Sequence, residues 1–244
     1  MQRRSILQLA VAGALASGVA LPAFAQQGHR PRRLTPGDTV ALVAPASVTY
    51  ESLELQLALE TLEAMGLKAK VGDHVMDRFG YLAGKDEDRA ADINAAFADT
   101  RIDAVFALRG GWGASRILPY LDFDVIRKNP KILLGYSDIT SLLNAVFAKT
   151  GLITFHGPNV MSRWNDFTHQ GMRRVLFEAR AEVYENPVIA DDDLVARDHR
   201  IQTITSGVAE GPLIGGNLTL MSALLGSPYL PSFSGAILFL EDVG

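Results

Sequence analysis

The sequence contains no cysteine. That single absence excludes disulfides, cysteine-ligated zinc, iron–sulfur clusters and thiol nucleophiles. Positive charge is not in excess either: 23 Lys and Arg stand against 27 Asp and Glu, a formal charge of −4. Such a balance leaves no electrostatic footprint for nucleic acid. No G-x-G-x-x-G and no Walker lysine occurs, so the glycine-rich stretches carry no nucleotide fingerprint and no cofactor is expected. Asp191, Asp192, Asp193 and His199 match no metal-ligand spacing and read as a solvated acidic loop, so no metal is expected. What remains is ordinary globular composition, 48% hydrophobic and 20% charged over 244 residues, long enough for one or two domains.

The N-terminus reads as an export signal. Arg3 and Arg4 supply the positive region, Ile6 to Leu21 the apolar run, and Ala23-Phe24-Ala25 a small-x-small cleavage site. Residues 1–25 are thus expected to leave a mature chain starting at Gln26. Arg3-Arg4-Ser5-Ile6-Leu7-Gln8 resembles a twin-arginine export motif. A retained anchor is the competing reading, disfavoured by the Ala/Gly-rich run and Pro22. Cleavage leaves 21 Lys and Arg against 27 acids, hence a formal charge of −6. The expectation is an acidic, exported, periplasmic protein with no stable membrane anchor.

Residues 34–165 alternate apolar runs with helical patterns. Thr39 to Ala44, Lys68 to Val71, Ala104 to Leu108, Ile132 to Tyr136 and Leu152 to Phe155 read as strands, most of them apolar enough for burial on both faces. Residues 51–65, 86–98 and 137–148 read as helices, with a short one from Ser115 to Leu121. The fold class predicted is α/β, a doubly wound parallel sheet. Gly28 to Pro36 reads as a lead-in, and residues 166–200 as helix plus linker. Residues 201–244 read as a partial, β-rich C-terminal domain. Its strands are expected at Ile201 to Thr205, Val208 to Leu213 and Ile237 to Leu240, with a helix from Asn217 to Leu225.

Three strand ends carry candidate chemistry. In Gly135-Tyr136-Ser137-Asp138 a serine sits between a strand and a helix, where helix N–H groups face a developing oxyanion. The G-x-S-x-G elbow pattern fails at Ile139, and a plain N-cap serine is the alternative. Arg109-Gly110-Gly111-Trp112-Gly113 lies at another strand end, as an anion-binding nest or as a tight turn with a packed tryptophan. Glu241 follows the last apolar run and could orient a histidine, or be an ordinary surface acid. His156, after a strand at the same sheet edge, is a base, a substrate contact or a structural histidine. His29, His74, His169 and His199 fall in polar segments.

In this order the pieces resemble the LD-carboxypeptidase family of serine peptidases, which includes the microcin-immunity-type enzymes. The carriers are Pro36-Gly37-Asp38, Ala44-Pro45-Ala46-Ser47, Arg109-Gly110-Gly111-Trp112-Gly113, Gly135-Tyr136-Ser137-Asp138, Phe155-His156-Gly157-Pro158, Gly215-Gly216-Asn217-Leu218 and Phe239-Leu240-Glu241-Asp242. Trp112 stands where the family often shows tyrosine. The resemblance implies a Ser–Glu–His triad with Ser137 as nucleophile and Glu241 orienting the histidine. It implies an oxyanion hole from the backbone N–H groups of Gly111 and Asp138. It also implies cleavage of an L,D-peptide bond before a terminal D-residue, as in a murein tetrapeptide. Arg109, Trp112 and His156 become candidate substrate contacts. The expected partners are a murein-derived peptide and, as a homodimer, a second copy of the chain.

The family's histidine lies well downstream of the glutamate, and here no histidine follows Glu241. The expectation is therefore a C-terminally truncated form with little or no peptidase activity of its own. Two alternatives are a non-catalytic murein-peptide binding module and a general esterase pairing Ser137 with His156.

Overall fold

The computed structural model describes residues 28–181, 183–186 and 200–243. Five strands, β1 (Thr39–Val43), β2 (Lys68–Val71), β3 (Ala104–Ala107), β4 (Ile132–Gly135) and β5 (Phe155–His156), form one sheet in the order β2-β1-β3-β4-β5. Every pairing is parallel, with Leu42 beside Phe106 and Phe106 beside Leu134. Parallel neighbours need crossovers. These are α1 (Ser52–Ala64), α2 (Asp86–Ala98), a 3₁₀ helix (Ala114–Tyr120) with α3 (Phe123–Lys128), and α4 (Thr140–Thr150); α5 (Asp166–Leu176) follows β5.

The inner strands β1, β3 and β4 are buried on both faces because they are almost wholly apolar, whereas the edge strand β2, with Lys68 and Lys70, is exposed. Ala41, Val43, Val105, Ala107 and Leu133 pack against Ile93 and Phe97 of α2, Ile126 of α3 and Leu142 and Val146 of α4. Val40, Leu42, Phe106, Ile132 and Leu134 pack on the other side against Ala58 and Leu62 of α1 and Met172 and Leu176 of α5. Each such large side chain contributes about 1.5–3 kcal/mol by leaving water. Local signals agree with these boundaries. Asp86, Glu87 and Asp88 occupy the first turn of α2, where negative charge suits the helix dipole. Gly151 caps α4 in the left-handed region.

From β1 the chain runs outward to β2 and then returns to β3 on β1's other side. The order therefore reverses between β1 and β3, and the loops leaving those two strands open the crevice where α/β sheets bind ligands.

A second, two-stranded parallel sheet comprises β6 (Leu213–Asn217) and β7 (Ile237–Glu241), joined through α6 (Leu218–Ala223). It docks on the N-terminal turn of α4. Asn144 Nδ2 donates to Gly215 O at 2.9 Å, and the Asn217 N–H donates to Thr140 Oγ1 at 3.0 Å.

Three expected strands need correction. Ile201–Thr205 and most of 208–213 form no strand; Ile204 and Val208 are fully exposed, and pairing begins only at Leu213. The glycines 215 and 216 lie inside β6 and lead directly into α6, with Asn217 as its N-cap. The fifth strand is Phe155–His156 rather than Leu152–Phe155, because Leu152 bridges His29 of the lead-in instead. The lead-in is thereby tied to the sheet edge by His29 N–H to Gly151 O at 2.7 Å. The expected signal, Asp191 to Asp193 and His199 lie outside the described residues. Among the described residues, no helix is long and apolar enough to cross a membrane.

Candidate active site

Ser137 occupies the turn between β4 and α4 with φ 62°, one of two non-glycine residues in the left-handed region among those described. A serine is held there only when its surroundings over-determine it, and such strain clusters at functional sites. The N-cap positions of the 3₁₀ turn Ser137–Ile139 and of α4 are Tyr136 and Ile139, so the serine is not an ordinary N-cap. Among the described residues its hydroxyl forms no hydrogen bond; it faces a cleft of about 290 Å³ lined by Arg109, Gly110, Gly111, Tyr136, Asn159 and Met161. This is the strand-to-helix elbow geometry that exposes a nucleophile above a sheet.

The glycine loop lies directly against the elbow. A Cβ on Gly110 would stand 3.1 Å from Ser137 Cβ and 3.4 Å from the Asp138 backbone nitrogen. Gly111 has φ 113°, and a Cβ there would meet Ser47 Oγ at 2.0 Å, so only glycine fits. Ser47, on the loop after β1, braces this loop by accepting from the Trp112 N–H at 3.0 Å and donating its own N–H to Gly110 O at 3.3 Å. Trp112 is not packed: 64% of it is exposed at the rim. Arg109 lines the cleft, with Nη1 donating to Val48 O at 3.1 Å.

Asp138 is buried, and its carboxylate accepts from the Ala114 N–H at 2.7 Å. Burial pushes its pKa up to about 6, against the Ala114 hydrogen bond and the charge of Arg89, which pull it down.

His156 is not brought to the serine. It lines the apolar clefts on either side of β5, and no hydrogen bond joins it to Ser137. Its ring lies edge-on to Tyr136 at 6.3 Å and to Phe239 at 5.2 Å between centroids. His156 is an exposed residue, while the surrounding mass of protein desolvates its cation and lowers its pKa.

Glu241, at the end of β7, is half-buried, and its Oε1 is buried without a hydrogen-bond partner among the described residues. A carboxylate oxygen left so is costly and marks a place for a donor. Glu241 sits in register with Asn217, whose N–H reaches Thr140, three residues beyond Ser137. The pairing of β6 with β7 thus sets the glutamate on the elbow's side of the molecule.

Sequence reasoning did not single out Arg89, Asn159 or Thr140 as site residues, and it placed Ser47 only within a motif. Asn159 is buried and lies against the Tyr136 N–H at 3.3 Å. Arg89 had a legible signal, because it lies four residues before Ile93 on the buried face of α2.

Comparison with known proteins agrees with this architecture. Residues 40–157 match the LD-carboxypeptidase N-terminal domain, and residues 210–244 match the LD-carboxypeptidase C-terminal domain. The murein tetrapeptide carboxypeptidase of Pseudomonas aeruginosa is 38% identical over 218 residues, covering 84% of this chain and 66% of that protein. The microcin C7 self-immunity protein MccF of Escherichia coli is 31% identical over 233 residues, covering 86% and 67%. A Bacillus subtilis relative is 39% identical over 219 residues, of which the chain spans 65% of the length. Among solved structures, an MccF-like protein from Bacillus anthracis superposes with TM-score 0.75 at 28% identity, covering 88% of this chain and 70% of that one. The muramoyltetrapeptide carboxypeptidase from Oxalobacter formigenes gives TM-score 0.66 at 29% identity, covering 84% and 65%. With its elbow serine, braced glycine loop and docked second sheet, the chain belongs to the LD-carboxypeptidase family.

Proposed function

We propose that this chain carries the nucleophile half of an exported serine carboxypeptidase that hydrolyses the L,D-peptide bond before a C-terminal D-residue of a murein-derived peptide. The observation that carries this reading is the left-handed Ser137, presented to a cleft beside the glycine loop. The names of the relatives acting on murein peptides support the substrate class.

In this reading a histidine removes the Ser137 proton as Oγ attacks the scissile carbonyl. The N–H groups of Gly111 and Asp138 receive the oxyanion, and each such donor contributes about 3–4 kcal/mol to the transition state. The histidine then protonates the leaving amine, the D-residue departs, and water hydrolyses the acyl-enzyme. Glu241 holds the imidazole through its unpartnered Oε1. No described histidine shares a hydrogen bond with Ser137, and the chain spans 65% of the length of the Bacillus subtilis relative. Arg109 supplies a cation for the substrate's terminal carboxylate. An esterase pairing of Ser137 with His156 has no support in the geometry, since the two share neither a hydrogen bond nor the cleft.

The test is release of D-Ala from a murein tetrapeptide by the full-length gene product and its Ser137→Ala variant. Release abolished by the substitution is expected; release at the wild-type rate overturns the assignment.

A further inference from the structure

One peptide unit near the site is held from both ends by buried charged side chains. The peptide joining Gly113 to Ala114 donates its N–H to Asp138 Oδ2 at 2.7 Å, and its carbonyl accepts from Arg89 Nη1 at 3.0 Å. Asp138 and Arg89 are each 1% exposed. Arg89 also donates to Pro45 O, on the loop after β1, and to the Asp86 carboxylate at the start of α2. Asp86 is gripped in turn by Arg116 at 2.9 Å. A buried guanidinium and carboxylate gain little stability over apolar side chains of equal volume. What the arrangement does supply is direction, since both hydrogen-bonding groups of one peptide are fixed.

We propose that the Asp138 carboxylate and the Arg89 guanidinium are positioning residues: they clamp the Gly113–Ala114 peptide and so set where the Gly111 N–H stands relative to Ser137. The proposal rests on reading the Gly111 and Asp138 N–H groups as the oxyanion donors. Asp138 then contributes twice. Its backbone supplies one donor, and its side chain holds the loop that carries the other. The separation of the two donors is fixed within a single residue and its hydrogen bond. Ser47 secures the same loop two residues earlier, through the Trp112 N–H.

The test compares the full-length gene product with Asp138→Ala, Asp138→Asn, Arg89→Lys and Ser137→Ala variants on a murein tetrapeptide. Asp138→Ala is expected to lose about 100-fold in kcat with KM within about threefold, as for a displaced oxyanion donor. Asp138→Asn keeps an oxygen that accepts from the Ala114 N–H, and is expected to regain about tenfold of that loss. Arg89→Lys keeps the charge, but one ammonium cannot reproduce the guanidinium's fork, and about a tenfold fall in kcat is expected. In the 244-residue chain, amide exchange of residues 110–114 is expected to quicken in Arg89→Lys while strands β1 to β5 keep their protection. Arg89→Lys also serves if Asp138→Ala does not fold. Turnover within twofold of wild type in the folded variants, or unchanged exchange across residues 110–114, overturns the clamp. Turnover surviving in Ser137→Ala overturns the peptidase reading instead, and exchange alone then judges the clamp.

Discussion

Asn144 of α4 donates its side-chain amide to Gly215 O of β6 at 2.9 Å and to Thr140 O at 2.8 Å. One buried side chain therefore ties the second sheet to the helix that starts at the elbow. Asn144→Ala leaves the Gly215 carbonyl without this donor and is expected to destabilise the chain by about 1–3 kcal/mol. Amide exchange that quickens in β6 and β7 but not in β1 to β4 would show that the loss is local. Unchanged protection in β6 would refute the docking role.

The left-handed serine carries a conformational cost that glycine does not. Ser137→Gly is expected to raise stability by about 0.5–1 kcal/mol, and Ser137→Val to lower it by more than that. Urea denaturation midpoints of the three proteins decide this. A glycine variant weaker than wild type would mean that the turn is not strained.

Ile139 stands where the usual elbow pattern has its second glycine, and Gly135 makes room for it. A Cβ at 135 would lie 2.7 Å from Ile139 Cγ2 and 3.0 Å from Asn159 Oδ1. Gly135→Ala is expected to cost about 1–3 kcal/mol, with part of the loss recovered when Ile139→Ala is added. A double-mutant cycle with no favourable coupling would show that the two positions do not compete for this space.

The Asp138 carboxyl is raised from 3.8 to about 6 by burial, so the folded state holds a proton that the unfolded chain has already released between those values. Its contribution to stability is complete below the unfolded value and is lost as pH climbs toward 6. Relative to Asp138→Asn, the wild-type chain is expected to weaken by up to about 1.4 kcal/mol per pH unit across that window. Denaturation at pH 4, 5, 6 and 7 measures the difference, and a flat or rising one would contradict the sign.

If Arg109 receives the substrate carboxylate, Arg109→Met in the full-length gene product should raise KM for the free-acid peptide by about 10- to 100-fold. The C-terminally amidated peptide, already a poor ligand, should change little. Equal effects on both peptides would move Arg109 out of that role.

The first sheet was legible because its inner strands β1, β3 and β4 are almost wholly apolar. Val40 to Ala44 and Ala104 to Leu108 announce burial on both faces without help from any partner. The elbow was legible as a junction, but its left-handed φ was not, since nothing in Tyr136-Ser137-Asp138 specifies a backbone angle. Residues 201–212 were misread because β-branched residues favour strands only where an edge is available, and Ile201, Ile204 and Val208 find none. The strand β6 was hidden for the opposite reason. Gly215 brings no apolar signal, yet it is needed because a Cβ there would lie 1.7 Å from Phe239 O. The clamp stayed invisible because Arg89 and Asp138 are 49 residues apart and meet only through Gly113 and Ala114.

The register of the central sheet has a consequence for tolerance to change. The glycine loop hangs from β3 and the serine from β4, aligned by Phe106 opposite Leu134. One residue of slip between these strands would carry the serine about 3.3 Å along the sheet and reverse which face its neighbours present. That shift exceeds a hydrogen-bond length. The sheet is thus the ruler on which the two halves of the site are measured. Insertions or deletions inside β3 or β4 should abolish function outright, whereas length changes in the far connections between them leave the ruler intact.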